Sequence, residues 1–214
     1  MGERGDTVTV RPFCMDTTEV TVTAYAACDT ASACADPGAF DGASKFSRAC
    51  TWQRPGAGAH PVNCVDWRDA SSYCAFVGKR LPSEEEWEWA ARGGATAHSY
   101  PWGDERPTAE RVNACGPECV QWKAANEGEA VTPLSPIADG WPITASVGSF
   151  PRGATREGLL DLAGNVWEWT ANKVARGGGW SDSDPLVLRA ADRSGRLWFG
   201  PTGSYTRVGF RCAR

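Results

Sequence analysis

The residues best suited to chemistry in this sequence surround a glycine-rich turn. Three glycines follow Arg176 and lead into Trp180, and two acids, Asp182 and Asp184, come directly after. Glycines allow a backbone to approach a ligand closely, and the ring and carboxylates beside them supply contacts for that ligand. The turn therefore predicts an active site or a binding surface, and the choice depends on the reactive side chains nearby.

Nine cysteines are the second chemical feature of the chain. No pair of Cys-x-x-Cys motifs accompanies them, so a metal site built of thiolates is not indicated. Many cysteines in a chain of 214 residues are typical of disulfides in an oxidising compartment. Because the first six residues lack the apolar core of a signal peptide, we expect the secreted, periplasmic or extracellular part of a longer chain.

Length and composition restrict both the fold and the partners. The chain has room for one domain with a sizeable core, and its 24 glycines and 14 prolines predict a fold rich in loops. A formal net charge of -4 and only two histidines argue against nucleic-acid binding, which requires a basic surface. The sequence also lacks an apolar stretch long enough to cross a bilayer, so no membrane insertion is expected.

Two helices that lie between the motifs have clear boundary signals. Asp66 can cap a helix that places Cys74 on its buried face and ends at Gly78. Ser83 forms a capping box with the glutamate three residues later, and Gly93 ends the second helix. These helices are predicted to position the polar residues of the neighbouring loops.

A third helix is predicted after Thr21, with Val22, Tyr25 and Ala26 facing inward and an end near Asp29. Isolated strands are expected at Val8 to Met15, Ser146 to Phe150 and Val208 to Cys212. Two long segments are expected to be loops, namely Trp52 to Val62 and Thr96 to Pro142. They require a fold that organises loops, since long structureless segments are uncommon in compact domains.

Eight motifs occur along the chain in a recognisable order. They are Glu19-Val-Thr21, His60-Pro-Val62, Asp66-Trp67, Gly78 to Trp89, Tyr100-Pro-Trp-Gly103, Gly158 to Trp169, Arg176-Gly-Gly178 and Gly209-Phe-Arg-Cys212. In this order they resemble the formylglycine-generating enzyme, or sulfatase-modifying factor, family, and they cover nearly the whole chain. The resemblance implies one mixed α/β, loop-rich domain over residues 1–214, related to the C-type lectin fold.

The enzymes of this family convert a sulfatase cysteine to formylglycine, using copper held by two cysteines just after the glycine turn. Here the segment from Arg176 to Arg211 contains no cysteine, and Gly179 stands where the family often has serine. Thiolates suit Cu(I), and the carboxylates of Asp182 and Asp184 do not replace them. The resemblance therefore implies that copper is not expected and that the chain is not a formylglycine-generating oxidase.

The resemblance leaves different classes of function open. The first is a non-catalytic, extracytoplasmic binding or regulatory module for a peptide, protein or glycan, including an ectodomain of a signalling chain. Its binding surface would comprise Trp167, Arg176, Gly179, Trp180, Asp182, Asp184, Arg189 and Arg193. The alternative is an oxidoreductase of the same family, acting on a peptidyl or small-molecule substrate with a non-standard metal site. Cys115 and Cys119 would be its displaced copper pair, although a disulfide that staples the Gly-Pro loop is the favoured interpretation.

The resemblance also implies one or two structural calcium sites. The first would use the side chains of Asp161 and Glu168 with the carbonyls of Gly164 and Val166, and oxygen ligands of this kind suit calcium. A tight loop closed by hydrogen bonds without metal is the alternative at this position. The second would use the side chains of Asn113 and Asp139 with the carbonyls of Ala114 and Trp141.

A long-range disulfide between Cys74 and Cys212 is implied by the resemblance as well. Proximity in the sequence then predicts three further pairs, which are Cys28 with Cys34, Cys50 with Cys64, and Cys115 with Cys119. Cys14 remains, and we expect it to be a buried free thiol in the first strand.

Overall fold

A computed structural model describes residues 9–37 and 48–214 of the chain. Five α-helices and three short strands are separated by long loops. The helices are α1 (Val22–Thr30), α2 (Trp67–Phe76), α3 (Glu84–Ala91), α4 (Pro117–Asn126) and α5 (Gly195–Trp198), and the strands are β1 (Trp167–Trp169), β2 (Ala175–Arg176) and β3 (Val208–Gly209). Short 3-10 turns include Gly94–Thr96 and Pro151–Gly153. The expectation of a mixed α/β, loop-rich fold is confirmed.

Local capping explains the first three helices. Thr21 caps α1 through its hydroxyl, and Asp66 caps α2 within a capping box. Ser83 and Glu86 form the predicted capping box of α3. Each cap accepts a hydrogen bond from a backbone N–H that the first turn of a helix leaves without a partner. The three predicted helices are therefore confirmed, with Tyr25 and Cys28 as the buried residues of α1.

Helix α4 corrects the prediction of a continuous loop over residues 96–142. Pro117 occupies the first turn, where its missing N–H costs nothing, and Cys119 and Lys123 face inward. The sequence signal was weak because only two of its ten residues are buried. This helix lies between the glycine turn and the second predicted calcium site, so it matters for both.

The predicted strands are shorter than expected. Val8 lies outside the described residues, and the rest of the first strand contributes one bridge, at Met15. The segment 146–150 is a turn around Gly148, whose φ of 78° is incompatible with a strand. Of the segment 208–212, only the first two residues form β3. In these segments, backbone N–H and C=O groups form the hydrogen bonds of turns and loops, and not those of a regular sheet.

A three-stranded sheet lies at the centre of the fold, in the order β2-β1-β3. Strand β1 pairs antiparallel with β2 and parallel with β3. Every residue of these strands is buried, and Trp167 and Trp169 of β1 pack with α1, α2 and the C-terminal segment in the main core. The glycine turn follows β2 directly, so the core fixes its position.

The last residue of the chain lies beside Cys14, close to the start of the first described segment. Cys14 and Arg214 exchange both backbone hydrogen bonds, each with an N···O distance of 2.9 Å. Ala213 forms bridges with Met15 and with Arg80. The last residues thus connect the first described segment to the loop between α2 and α3.

Four disulfides join the cysteines in the pairs expected from the sequence. They are Cys28–Cys34, Cys50–Cys64, Cys74–Cys212 and Cys115–Cys119. Cys14 is free, as expected, but the prediction that it is buried was wrong, because it is exposed. Its backbone pairs with the last residue at the margin of the fold, where no further layer covers the side chain. Among the described residues, none of the helices has the length and apolar character of a membrane span.

Candidate functional site

The glycine turn is shaped by packing within the protein. Gly177 and Gly178 have φ values of 102° and 77°, which other residues adopt only with strain. A Cβ on Gly178 would lie 2.5 Å from Cδ2 of Leu188, and one on Gly179 would lie 3.1 Å from Cδ1 of Trp167. The glycines are therefore required because the core approaches the turn closely on the inner side.

Arg176 ties the turn to helix α3. Its guanidinium donates to Glu84 at 2.9 Å, to Glu88 at 2.8 Å and to the carbonyl of Ala190 at 2.8 Å. Burial lowers the pKa of Arg176, while the charges of the two glutamates oppose that shift. Arg193 also donates to Glu88, from the solvent side. The pairing makes Arg176 a structural cation of the core.

Asp182 closes the turn from within. One carboxylate oxygen, Oδ2, accepts from the backbone N–H of Gly179 and from Nε1 of Trp167, each at 2.8 Å. Burial raises the pKa of Asp182, and the nearby Arg207 opposes that shift. Trp180 is also buried, with Nε1 donating to the carbonyl of Thr206.

The eight residues of the predicted binding surface differ in their exposure. Five of its eight residues are buried, namely Trp167, Arg176, Gly179, Trp180 and Asp182. Their polar groups have partners elsewhere in the chain, so these contacts hold the turn together. Asp184, Arg189 and Arg193 are exposed on the segment that follows.

A pocket of about 340 Å³ opens beside the turn. Its lining comprises Cys50, Cys64, Lys123, Glu127, Glu129, Trp180, Ser181, Ser204, Tyr205, Thr206 and Arg207. Only Trp180 belonged to the predicted surface. The sequence did not reveal the pocket because its walls come from α4, the Cys50–Cys64 loop and the segment before β3.

Charges of both signs stand in this pocket. Lys123 is largely buried and pairs with Glu127 at 3.2 Å and with Glu129 at 3.0 Å. The guanidinium of Arg207 lies 3.5 Å from Oγ of Ser181 and over the ring of Phe199. The pocket thus offers polar, charged and aromatic contacts in a small volume.

The pocket contains no free thiol. Its two cysteines, Cys50 and Cys64, are bonded to each other. All nine cysteines lie in the described ranges, and the one free thiol, Cys14, lines a separate depression beside Lys79. Cys115 and Cys119 are bonded too, so they do not present two thiolates to a metal.

The first predicted calcium loop is closed by protein contacts. Glu168 accepts from Arg211 on both carboxylate oxygens and from Nε1 of Trp87, and it is fully buried. Asp161 accepts from the backbone N–H of Gly148 at 2.6 Å, and burial raises its pKa. The charge of Glu168 is thus balanced by Arg211, and calcium at this loop stays a prediction.

The second predicted calcium site has one side-chain oxygen without a hydrogen-bond donor. Asp139 accepts from the backbone N–H groups of Ala114 at 3.3 Å and Trp141 at 2.9 Å, so these three predicted residues are adjacent. The buried Oδ1 of Asn113 has no hydrogen-bond partner. Burial raises the pKa of Asp139 to about 6. The oxygen atoms of Asn113 and Asp139 fit a hard cation better than those of the first loop. Within residues 9–37 and 48–214, however, no group of three or more His, Cys, Asp or Glu side chains is suited to a metal.

Curated relatives carry related names. The chain is 38% identical over 175 residues to the "Inactive C-alpha-formylglycine-generating enzyme 2" of Bos taurus, covering 74% of this chain and 53% of that protein. It is 34% identical over 200 residues to the "Formylglycine-generating enzyme" of Streptomyces coelicolor, covering 78% of this chain and 59% of that protein. The chain thus spans between about half and three-fifths of the length of these relatives.

Solved structures share the fold. The structure of PvdO from Pseudomonas aeruginosa superposes with a TM-score of 0.64 at 24% identity, covering 95% of this chain and 80% of that one. CarF superposes with a TM-score of 0.63 at 22% identity, covering 97% and 88%. At these identities the likeness concerns the fold alone. The family described as "Sulfatase-modifying factor enzyme 1-like domain" matches residues 3–214, and the chain therefore belongs to the sulfatase-modifying factor enzyme family.

Proposed function

We propose that this chain is a non-catalytic, formylglycine-generating-enzyme-like domain that binds a peptide in the pocket beside Trp180. The observation that carries the proposal is the pocket itself, which adjoins the glycine turn and whose two cysteines are bonded to each other. The name of the Bos taurus relative, which includes the word "inactive", supports the non-catalytic part. A relation to the C-type lectin fold, which we also propose, would suit ligand binding by loops around such a turn.

The lining of the pocket suits the groups of a peptide. The hydroxyls of Ser181, Ser204 and Thr206 can donate to backbone carbonyls or accept from backbone N–H groups. The ring of Tyr205 offers an apolar surface, and Arg207 offers a cation for a carboxylate. A volume of about 340 Å³ lies at the small end of ligand pockets, so one or two side chains of the ligand would enter.

The proposed function does not include formylglycine formation, because the pocket lacks the ligands that copper requires. Cu(I) is held by soft ligands, and the disulfide between Cys50 and Cys64 removes the only thiols of the pocket. The alternative, an oxidoreductase with a displaced thiol pair, would first require reduction of Cys115–Cys119. An oxidising location, secreted or periplasmic, favours the bonded state of all eight cysteines.

Calcium is part of the proposal as a structural ion. The oxygens around Asp139 and Asn113 are the better match, because they include an amide oxygen without a donor and a half-buried carboxylate. At the first loop, calcium would have to share Glu168 with Arg211.

A binding screen tests the proposal directly. The disulfide-bonded protein is presented with a random peptide library and, in parallel, with a glycan array. Ser204→Trp fills the pocket, and the matched control, Ser72→Trp, adds the same side chain to an exposed position of α2. We expect peptide binding that falls at least about tenfold in the pocket variant, a loss of about 1.4 kcal/mol, and is unchanged in the control. Peptide binding that is equal in both variants would contradict the assignment, and glycan binding alone would replace the ligand class.

A further inference from the structure

Two buried oxygens without donors lie at the start of helix α4. One is Oδ1 of Asn113, a residue that is 1% exposed, and the other is Oε2 of Glu118. The amide nitrogen of Asn113 is held by the carbonyl of Ile143 at 2.9 Å, so its amide orientation is fixed. A buried oxygen that accepts nothing loses its hydration without replacement, which requires an explanation.

Glu118 stands next to the carboxylate of Asp139. Its Oε1 accepts from the backbone N–H of Gly140 at 3.0 Å, one residue after Asp139. Two neighbouring carboxylates repel each other unless a proton or a cation is placed between them.

The backbone holds Glu118 in this position. The Cys115–Cys119 disulfide closes a loop of four residues around the first turn of α4, and Pro117 fixes φ within it. Gly116 precedes the helix, and a Cβ there would approach Oε2 of Glu118 to 3.4 Å. Oε2 of Glu118 is therefore held beside Gly116 before any ligand binds.

We propose that Glu118 is a ligand of a calcium ion held with Asn113 and Asp139, in addition to the residues expected at this position. The inference rests on the proposed calcium site and adds a residue that the predicted set lacked. Two carboxylates balance the charge of the ion, and amide and backbone oxygens complete the set of hard ligands that calcium takes. The ion supplies the partner that Oδ1 of Asn113 and Oε2 of Glu118 lack.

Terbium is a suitable probe, because it replaces calcium and its luminescence is excited through a nearby tryptophan such as Trp141. Calcium affinity is measured by displacement of terbium and by calorimetry. Glu118→Gln keeps the oxygen that accepts from Gly140 and removes only the charge, so the variant should fold. The matched control, Glu110→Gln, removes a charge from an exposed glutamate that pairs with Arg152.

We expect Glu118→Gln to weaken calcium binding at least about tenfold. Asp139→Asn should weaken the same site, and Glu110→Gln should leave it unchanged. A wild-type protein without calcium or terbium binding would overturn both the calcium site and the role of Glu118. Wild-type binding that is retained in Glu118→Gln but lost in Asp139→Asn would overturn the role of Glu118 alone.

Discussion

The two disulfides Cys74–Cys212 and Cys115–Cys119 differ mainly in the length of chain they close, and this difference makes a sharp prediction. Their sequence separations are 138 and 4 residues. All four cysteines are fully buried, so replacing either pair by alanine removes similar packing. The matched comparison therefore isolates the entropy of closing the loop in the unfolded chain.

The magnitude follows from the loop lengths. The chain-entropy relation gives about 5 kcal/mol for the long loop and about 2 kcal/mol for the short one at 25 °C. We expect Cys74→Ala with Cys212→Ala to lower the free energy of unfolding by about 3 kcal/mol more than Cys115→Ala with Cys119→Ala. Such a loss is a large part of the stability of a typical domain, about 5–15 kcal/mol.

Urea unfolding followed by tryptophan fluorescence measures both free energies. Calcium is kept at a constant concentration, since Cys115–Cys119 lies beside the proposed calcium site. Equal losses for the two variants, at similar denaturant slopes, would refute the loop-entropy reasoning. A larger loss for the short loop would indicate that this disulfide acts through the calcium site.

Three further outcomes are expected. Arg211→Met should lower the free energy of unfolding by about 3–5 kcal/mol, because it leaves Glu168 buried without its partner. In the same urea titration, Arg189→Met, at an exposed position, should change this free energy by less than about 0.5 kcal/mol. Asp182→Ala should lower the free energy of unfolding, measured by thermal unfolding, by about 1–3 kcal/mol. Asp182→Asn should lower it much less, since a single oxygen of Asp182 accepts both hydrogen bonds. Equal losses for the two variants would contradict this role of the oxygen. Incubation with copper, reductant, oxygen and a sulfatase-type cysteine peptide should yield no aldehyde by mass spectrometry, and copper-dependent aldehyde would overturn the non-catalytic proposal.

Features with local chemistry could be predicted from the sequence. The capping boxes of α2 and α3 and the three short-range disulfides depend on residues that are close in the chain. The long-range pair Cys74–Cys212 was expected only through the family resemblance. Local signals thus suffice where the partner of a group is its neighbour in sequence.

The sequence did not indicate that most residues of the predicted binding surface are buried, for the opposite reason. Arg176 and Asp182 look like ligand contacts in the sequence, but their partners, Glu84 and Trp167, are 92 and 15 residues away. The pocket has the same origin, since Lys123 of α4 lines it together with Arg207, which lies far along the chain. Burial of a polar group depends on such distant partners, and a single sequence does not reveal them.

The adjacency of Cys14 and Arg214 has a consequence for rearranging the chain. These two residues are hydrogen-bonded neighbours, so a short flexible linker would join them without disturbing the core. New ends could then be opened at the exposed turn around Gly128, whose φ of 73° belongs to a loop beyond α4. By the same geometry, the domain could be grafted into a surface loop of a host protein, where it would need only a narrow gap between its points of attachment.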